Sequence, residues 1–185
     1  MMKTALTTLF LAFGLTGCVS QKPVTYLVLS PMAGTVYEAP GAPLAVGRVS
    51  MPAAIDRDFL TTGAGENTIL VSDHAMWAAP LEGQAQTILA RDLAARLPGH
   101  KVNMPGDQLP EKAMIVSVNV ITFLPYPDHV VLAADWRVTQ PAVIAAMSGR
   151  IRIIVPAGVS PSAQAQAMSA ALGQLADQIA RQVAD

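Results

Sequence analysis

Apolar positions recur along this chain with two periods, near two and near three and a half residues, and each predicts its own kind of element. The shorter period predicts strands. Met114–Ile121 alternates in its second half, with Ser117 and Asn119 turned away from the valines. Val130–Val138 is its expected hairpin partner, because Pro125, Pro127 and Asp128 between them force a turn. Arg150–Val155 alternates charged with β-branched residues, as an edge or half-exposed strand does. Shorter apolar runs at Tyr26–Leu29, Leu44–Val49 (ended by Pro52) and Thr68–Ser72 predict three more strands.

The longer period predicts two amphipathic helices. Leu81, Ala85, Ile88, Leu89, Leu93 and Leu97 form the first stripe, opened by Pro80 and stopped by Pro98-Gly99. Gln84, Arg91 and Arg96 fall off it. The second helix starts near Ser160-Pro161 and carries Met168, Leu172, Leu175, Ile179 and Val183, with Gln174, Asp177 and Arg181 facing water. A weaker short helix is expected at Ala53–Leu60, and a Gly-, Ala- and Pro-rich loop at Pro31–Pro43. The fold class is therefore α/β, a single domain with a mixed β-sheet packed by two main amphipathic helices. Strand order does not follow from chain order.

The N-terminus changes the reading of the rest. Lys3 precedes an apolar stretch, Ala5–Phe13, and Leu15-Thr16-Gly17-Cys18 closes it. That stretch is far shorter than the roughly 20 apolar residues a bilayer span needs, so it reads as a targeting segment. A cysteine directly after Gly17 is the pattern of a lipobox, which predicts cleavage before Cys18 and acylation of its thiol and new amino group. At about 0.8 kcal/mol per buried methylene, three acyl chains anchor permanently. Cys18 is the only cysteine, so no disulfide can form within the chain. Val19 rather than Asp follows it, which points to the outer membrane. The expected organisation is residues 1–17 as signal peptide, 18–25 as lipidated N-terminus and short tether, and 26–185 as one folded domain.

Composition removes several function classes. Lys plus Arg number 12 against 13 Asp plus Glu, which gives no electrostatic reason to expect nucleic acid. His74, His100 and His129 lie in separate segments without Cys or carboxylate at ligand spacing, so no metal site is drawn. Asp73 and His74 are strand neighbours and are expected to point to opposite faces. Gly63-Ala64-Gly65 begins like a phosphate loop but lacks the third glycine, the P-loop lysine and a following helix. There is no Gly-x-Ser-x-Gly elbow, and Asp56 and Asp58, separated by Arg57, read as a solvated turn. No catalytic residue and no cofactor are assigned. Trp77, just ahead of the first helix, has two readings: packing at the sheet–helix junction, or an aromatic facing a partner. Tyr126, at the expected hairpin tip, is the other partner-facing candidate.

His74-Ala75-Met76-Trp77-Ala78-Ala79-Pro80-Leu81 ahead of an amphipathic helix resembles the ABC-type transport auxiliary lipoprotein family, the PqiC-like accessory lipoproteins of MCE-type lipid transport. Tyr26-Leu27-Val28-Leu29 soon after the lipidated cysteine, Val49–Arg57, Trp136 in a late strand and the C-terminal helix agree with it. The segment Leu124–Asp128 departs from the short Gly-containing turn common in the family. The resemblance implies a layered α/β fold and partnership with an MCE-domain substrate-binding protein and, through it, an ABC permease and ATPase. It brings no catalytic residues. The leading expectation is a non-enzymatic docking subunit for intermembrane phospholipid transport, held at the outer membrane by its acyl chains and supporting envelope integrity. A ring of identical copies is compatible with that role. The contrasting expectations are a structural envelope lipoprotein without a transport role and, last, a periplasmic hydrolase.

Overall fold

The computed structural model describes residues 23–141 and 146–185. The signal peptide read at 1–17, Cys18, Val19 and the tether as far as residue 22 lie outside them. The elements in order are β1 (Thr25–Leu27), β2 (Leu44–Ser50), β3 (Phe59–Gly63), β4 (Ile69–Trp77), α1 (Leu81–Arg96), β5 (Val102–Asn103), β6 (Met114–Pro125), β7 (His129–Thr139), β8 (Met147–Pro156) and α2 (Pro161–Ala184). They form two mixed sheets, β1-β4-β3 and β5-β2-β6-β7-β8. In the larger, β2 runs parallel to β5 and β6, while β6, β7 and β8 form an antiparallel meander. In the smaller, β1 is parallel to β4 and β3 antiparallel.

The expected stripes are the core. Leu81, Ala85, Ile88, Leu89 and Leu93 of α1, and Met168, Leu172, Leu175 and Ile179 of α2, are all buried. The helices contact each other, α1 packing on β2 and α2 on β7 and β8. Each fully buried leucine contributes roughly 1.5–3 kcal/mol. Ser160 caps α2 by accepting from the Ala163 amide, with Pro161 in the first turn. Pro80 is the N-cap of α1 and lends no side chain; Asp56 Oδ1 instead accepts from the Glu82 amide at 3.3 Å. No helix among the described residues is long and apolar enough to cross a membrane.

Several expectations are corrected. Ala53–Leu60 is not a helix: turns hold its first part, with Ile55 and Asp56 amides both bonded to the Pro52 carbonyl, and its end enters β3. Gly63 closes that strand, and Gly65 takes a positive φ in the β3–β4 hairpin, so the supposed phosphate loop is a turn. Asp73 and His74 do meet, the imidazole Nδ1 contacting the carboxylate. Strand alternation fails there because β4 bulges: Thr61 faces Val71 but Phe59 faces Met76. Ser72 Oγ accepts both amides, His74 and Ala75, that the bulge frees from the ladder.

Arg96 was expected off the buried stripe and is instead only 1% exposed. Its five guanidinium hydrogens meet five acceptors. Nε donates to Asp177 Oδ1 at 2.6 Å, Nη1 to the Met32 and Asp92 carbonyls at 2.9 and 3.1 Å, and Nη2 to the Ala33 and Gly173 carbonyls at 3.3 and 3.1 Å. The guanidinium thereby pins the irregular segment 28–43 across both helices. Asp177, expected to face water, is drawn into this cluster and also accepts from the Thr35 amide. Gly34 has no side chain because a Cβ would collide with Arg96 and Asp177.

Asp92, fully buried beside Arg96, accepts from the Met32 amide at 2.8 Å through Oδ1. Burial raises its pKa above the ordinary 3.8, against the opposing pull of the Met32 amide and Arg96. Between 3.8 and that raised value the folded chain holds a proton the unfolded chain has released, so this carboxyl lowers stability as pH rises through the window. Asp92→Asn lacks that slope. Urea unfolding from pH 3 to 7 is expected to show the variant gaining on the parent above pH 3.8, then levelling. A constant difference across the series would refute the assignment.

Candidate docking surface

Residues 115–121 and 133–139 alternate in burial, so that the outward face of β6 and β7 is polar at Ser117, Asn119, Asp135, Arg137 and Thr139 and apolar at Ile115, Ile121 and Ala133. Val116, Val118, Val120, Ala134, Trp136 and Val138 are buried. The opposite face presents rows fixed by strand register. Ser117 stands beside Arg137 and Ser148, Asn119 beside Asp135 and Arg150, and Ala133 beside Arg152. From β2, Ser50 pairs with Asn119, its hydroxyl donating to Asn119 Oδ1 at 2.9 Å. Ser50, Ser117, Asn119, Asp135, Arg137, Ser148 and Arg150, together with Arg48, line an open groove of about 680 Å³; Arg152 stands beyond it on the same strand as Arg150.

Electrostatically the face is one-sided. Arg48, Arg137, Arg150 and Arg152 stand against Asp135 among the strand residues of these rows. Arg150 grips Asp135 with both Nε and Nη2, at 2.6 and 2.9 Å, and this hydrogen bonding holds the Asp135 carboxyl below the usual carboxylate range. Arg48 lies 3.5 Å from Glu82 of α1. Arg137 and Arg152 make no ion pair among the described residues. Guanidinium groups on a rigid ladder, interleaved with serine and asparagine, suit bidentate contact with carboxylates.

Of the residues singled out from sequence, Cys18 lies outside the described residues. Trp77 is 5% exposed and belongs to the core, which leaves the indole almost no surface for a partner. Its burial follows from the last residue of β4 facing inward, where Leu27 pairs with it. Tyr126 sits half-buried at the β6–β7 tip. Its ring stacks on His129, centroids 4.9 Å apart, and covers Gly63 of β3, where a Cβ would strike the phenol. His100 is buried with Nδ1 3.0 Å from the Ala42 carbonyl. Among the described residues no group of His, Cys, Asp or Glu could hold a metal ion.

The groove's arginines were missed from sequence, although the alternation in Arg150–Val155 carried half the signal. What the period could not show was that Arg48 and Arg137, distant in the chain, come to the same face.

The chain is a two-sheet α/β domain with one arginine-bearing sheet face that no described element covers. The chain belongs to the ABC-type transport auxiliary lipoprotein component family, whose model matches residues 26–180. Membership ties it to an ABC transporter system and to the cell envelope. No curated protein matches it. Among solved structures it resembles an uncharacterized protein at 16% identity, TM-score 0.74, over 88% of this chain and 99% of that one. It also resembles protein XCC0632 of the DUF330 family from Xanthomonas campestris, at 13% identity, TM-score 0.66, over 86% and 93%. These likenesses show the fold.

Proposed function

We propose that the protein is a non-enzymatic docking subunit of an MCE-type intermembrane phospholipid transport system. Acyl chains on Cys18 fix it to the outer membrane, facing the periplasm, and the open face of the larger sheet engages an acidic surface of the MCE-domain protein. Energy comes from the ABC ATPase, a separate polypeptide. The observation that carries the reading is the set of arginines on a sheet face that no described element covers. Charge there steers association and sets partner choice, while the rigid ladder keeps the entropic cost of ordering low.

The test is charge reversal. Arg137→Glu, Arg150→Glu and Arg152→Glu together leave the buried face untouched. They are expected to weaken retention by the MCE-domain protein roughly tenfold to hundredfold, as like charges are brought together. Raising salt is expected to weaken the parent complex in the same direction. If the triple variant is retained as well as the parent and still restores detergent resistance to a deletion strain, this face is not the dock. Failure to recover any MCE-domain protein would favour a structural envelope lipoprotein instead.

A further inference from the structure

Large exposed apolar side chains collect at one end of the molecule, where four segments converge. β1 lies parallel to β4 with Thr25 beside Ala75 and Leu27 beside Trp77, so tracing β1 backward leads toward the start of β4. That start is the β3–β4 hairpin, where Ile69, Leu70 and Val71 are 39%, 60% and 47% exposed. Three consecutive exposed apolar residues leave neither face of the start of β4 polar, unlike a strand with one wet side. Tyr126 over Gly63 brings the β6–β7 tip to the same end. The Ala157 amide, bonded to the Asp128 carbonyl at 2.8 Å, adds the start of α2 with exposed Val159. Val24, just before β1, and Tyr26 on it, both exposed, complete the set.

The chain's own anchor decides what covers this end. Five peptide steps separate Cys18 from Pro23, which at full extension reach about 18 Å at most. Leu70 lies no more than roughly 16 Å along β4 from Ala75, on the side from which the tether arrives. A bilayer holding acyl chains on Cys18 therefore lies within reach of the hairpin. Charges near it are few: Glu66 in the turn, and the Asp73–His74 and Asp128–His129 pairs. Its chemistry is that of an interfacial contact, with aliphatic residues and a tyrosine placed at headgroup depth.

We infer that the β3–β4 hairpin end, through Ile69, Leu70 and Val71 with Tyr26 beside them, inserts into the surface of the membrane that carries the anchor and fixes the domain's orientation on it. The inference rests on the proposed lipidation of Cys18. The test uses the mature lipidated protein in vesicles of phosphatidylethanolamine and phosphatidylglycerol. Leu70→Cys and, at the far end, exposed Leu109→Cys each carry an environment-sensitive dye.

The dye at position 70 is expected to shift to the blue and to lose most of its emission to nitroxide-bearing lipid, with no change in high salt. The dye at 109 stays water-like. Water-like emission from both, on protein that floats with the vesicles, overturns the inference and leaves anchoring intact. Protein that does not float removes the anchoring reading itself. A blue shift at 70 seen only after adding the MCE-domain protein assigns the end to that partner and likewise overturns membrane contact.

Discussion

Arg96→Met is expected to lower the unfolding free energy by about 3–5 kcal/mol, the usual result of removing one member of a buried charge cluster. In a domain of this size that corresponds to a fall in Tm of roughly 6–20 °C. The side chain being replaced is nearly fully buried and gives every N–H to an acceptor, among them the Met32 and Ala33 carbonyls of the irregular segment and the Gly173 carbonyl of α2. Methionine fills much of the volume but donates nothing. It strands the Met32 and Ala33 carbonyls and leaves Asp92 in the core without its cation. Arg96→Lys is expected to recover only part of the loss, because one ammonium cannot reach acceptors spread around a planar fork. Asp177→Asn, at a side chain 37% exposed, is expected to cost about 1 kcal/mol or less. Denaturant unfolding of the three variants checks the order. Equal stability for Arg96→Met and the parent would show that the cluster does not hold the segment.

Cys18→Ser is expected to move the protein almost completely from the membrane fraction to the soluble periplasmic fraction. Three acyl chains of ordinary length represent tens of kcal/mol of apolar burial by the per-methylene figure. No contact made by a hairpin end replaces that. Fractionation of cells producing the variant reads the outcome, and palmitate labelling of the parent reads the cause. Retention of Cys18→Ser in the membrane fraction, or an unlabelled parent with a free thiol, would remove the anchor from the account.

Legibility in the sequence followed the range of the physics. The stripes of α1 and α2, the Ser160-Pro161 start and the β6–β7 hairpin are set by neighbours a few residues apart, and a period exposes them. β3 was hidden because Phe59-Leu60-Thr61-Thr62-Gly63 has no alternation and runs into glycines, and β5 is too short to have a period. The division into two sheets was likewise invisible, since pairing between distant strands leaves no local mark. Arg96 shows the same limit from the other side. Only Asp92 lies at helical spacing from it; its other acceptors come from the segment 28–43 and from α2, so nothing nearby in sequence announces that a cation is welcome inside. Trp77 kept two readings for a related reason: an aromatic before a proline suits both an interface and a core, and the inward register of β4 is not visible in the local sequence. Of the docking face, the β8 contribution was legible and the convergence of β2, β6 and β7 upon it was not.

The place of β1 in the smaller sheet carries a mechanical consequence. Its first residue lies a short tether from the proposed anchor, so a tug from a drifting membrane arrives along the strand axis. Parallel pairing with β4 puts its hydrogen bonds in shear, to be strained together rather than peeled singly. What passes beyond Leu27 meets the segment that Arg96 clamps to both helices, so the pull is spread into the centre of the domain instead of unravelling its edge.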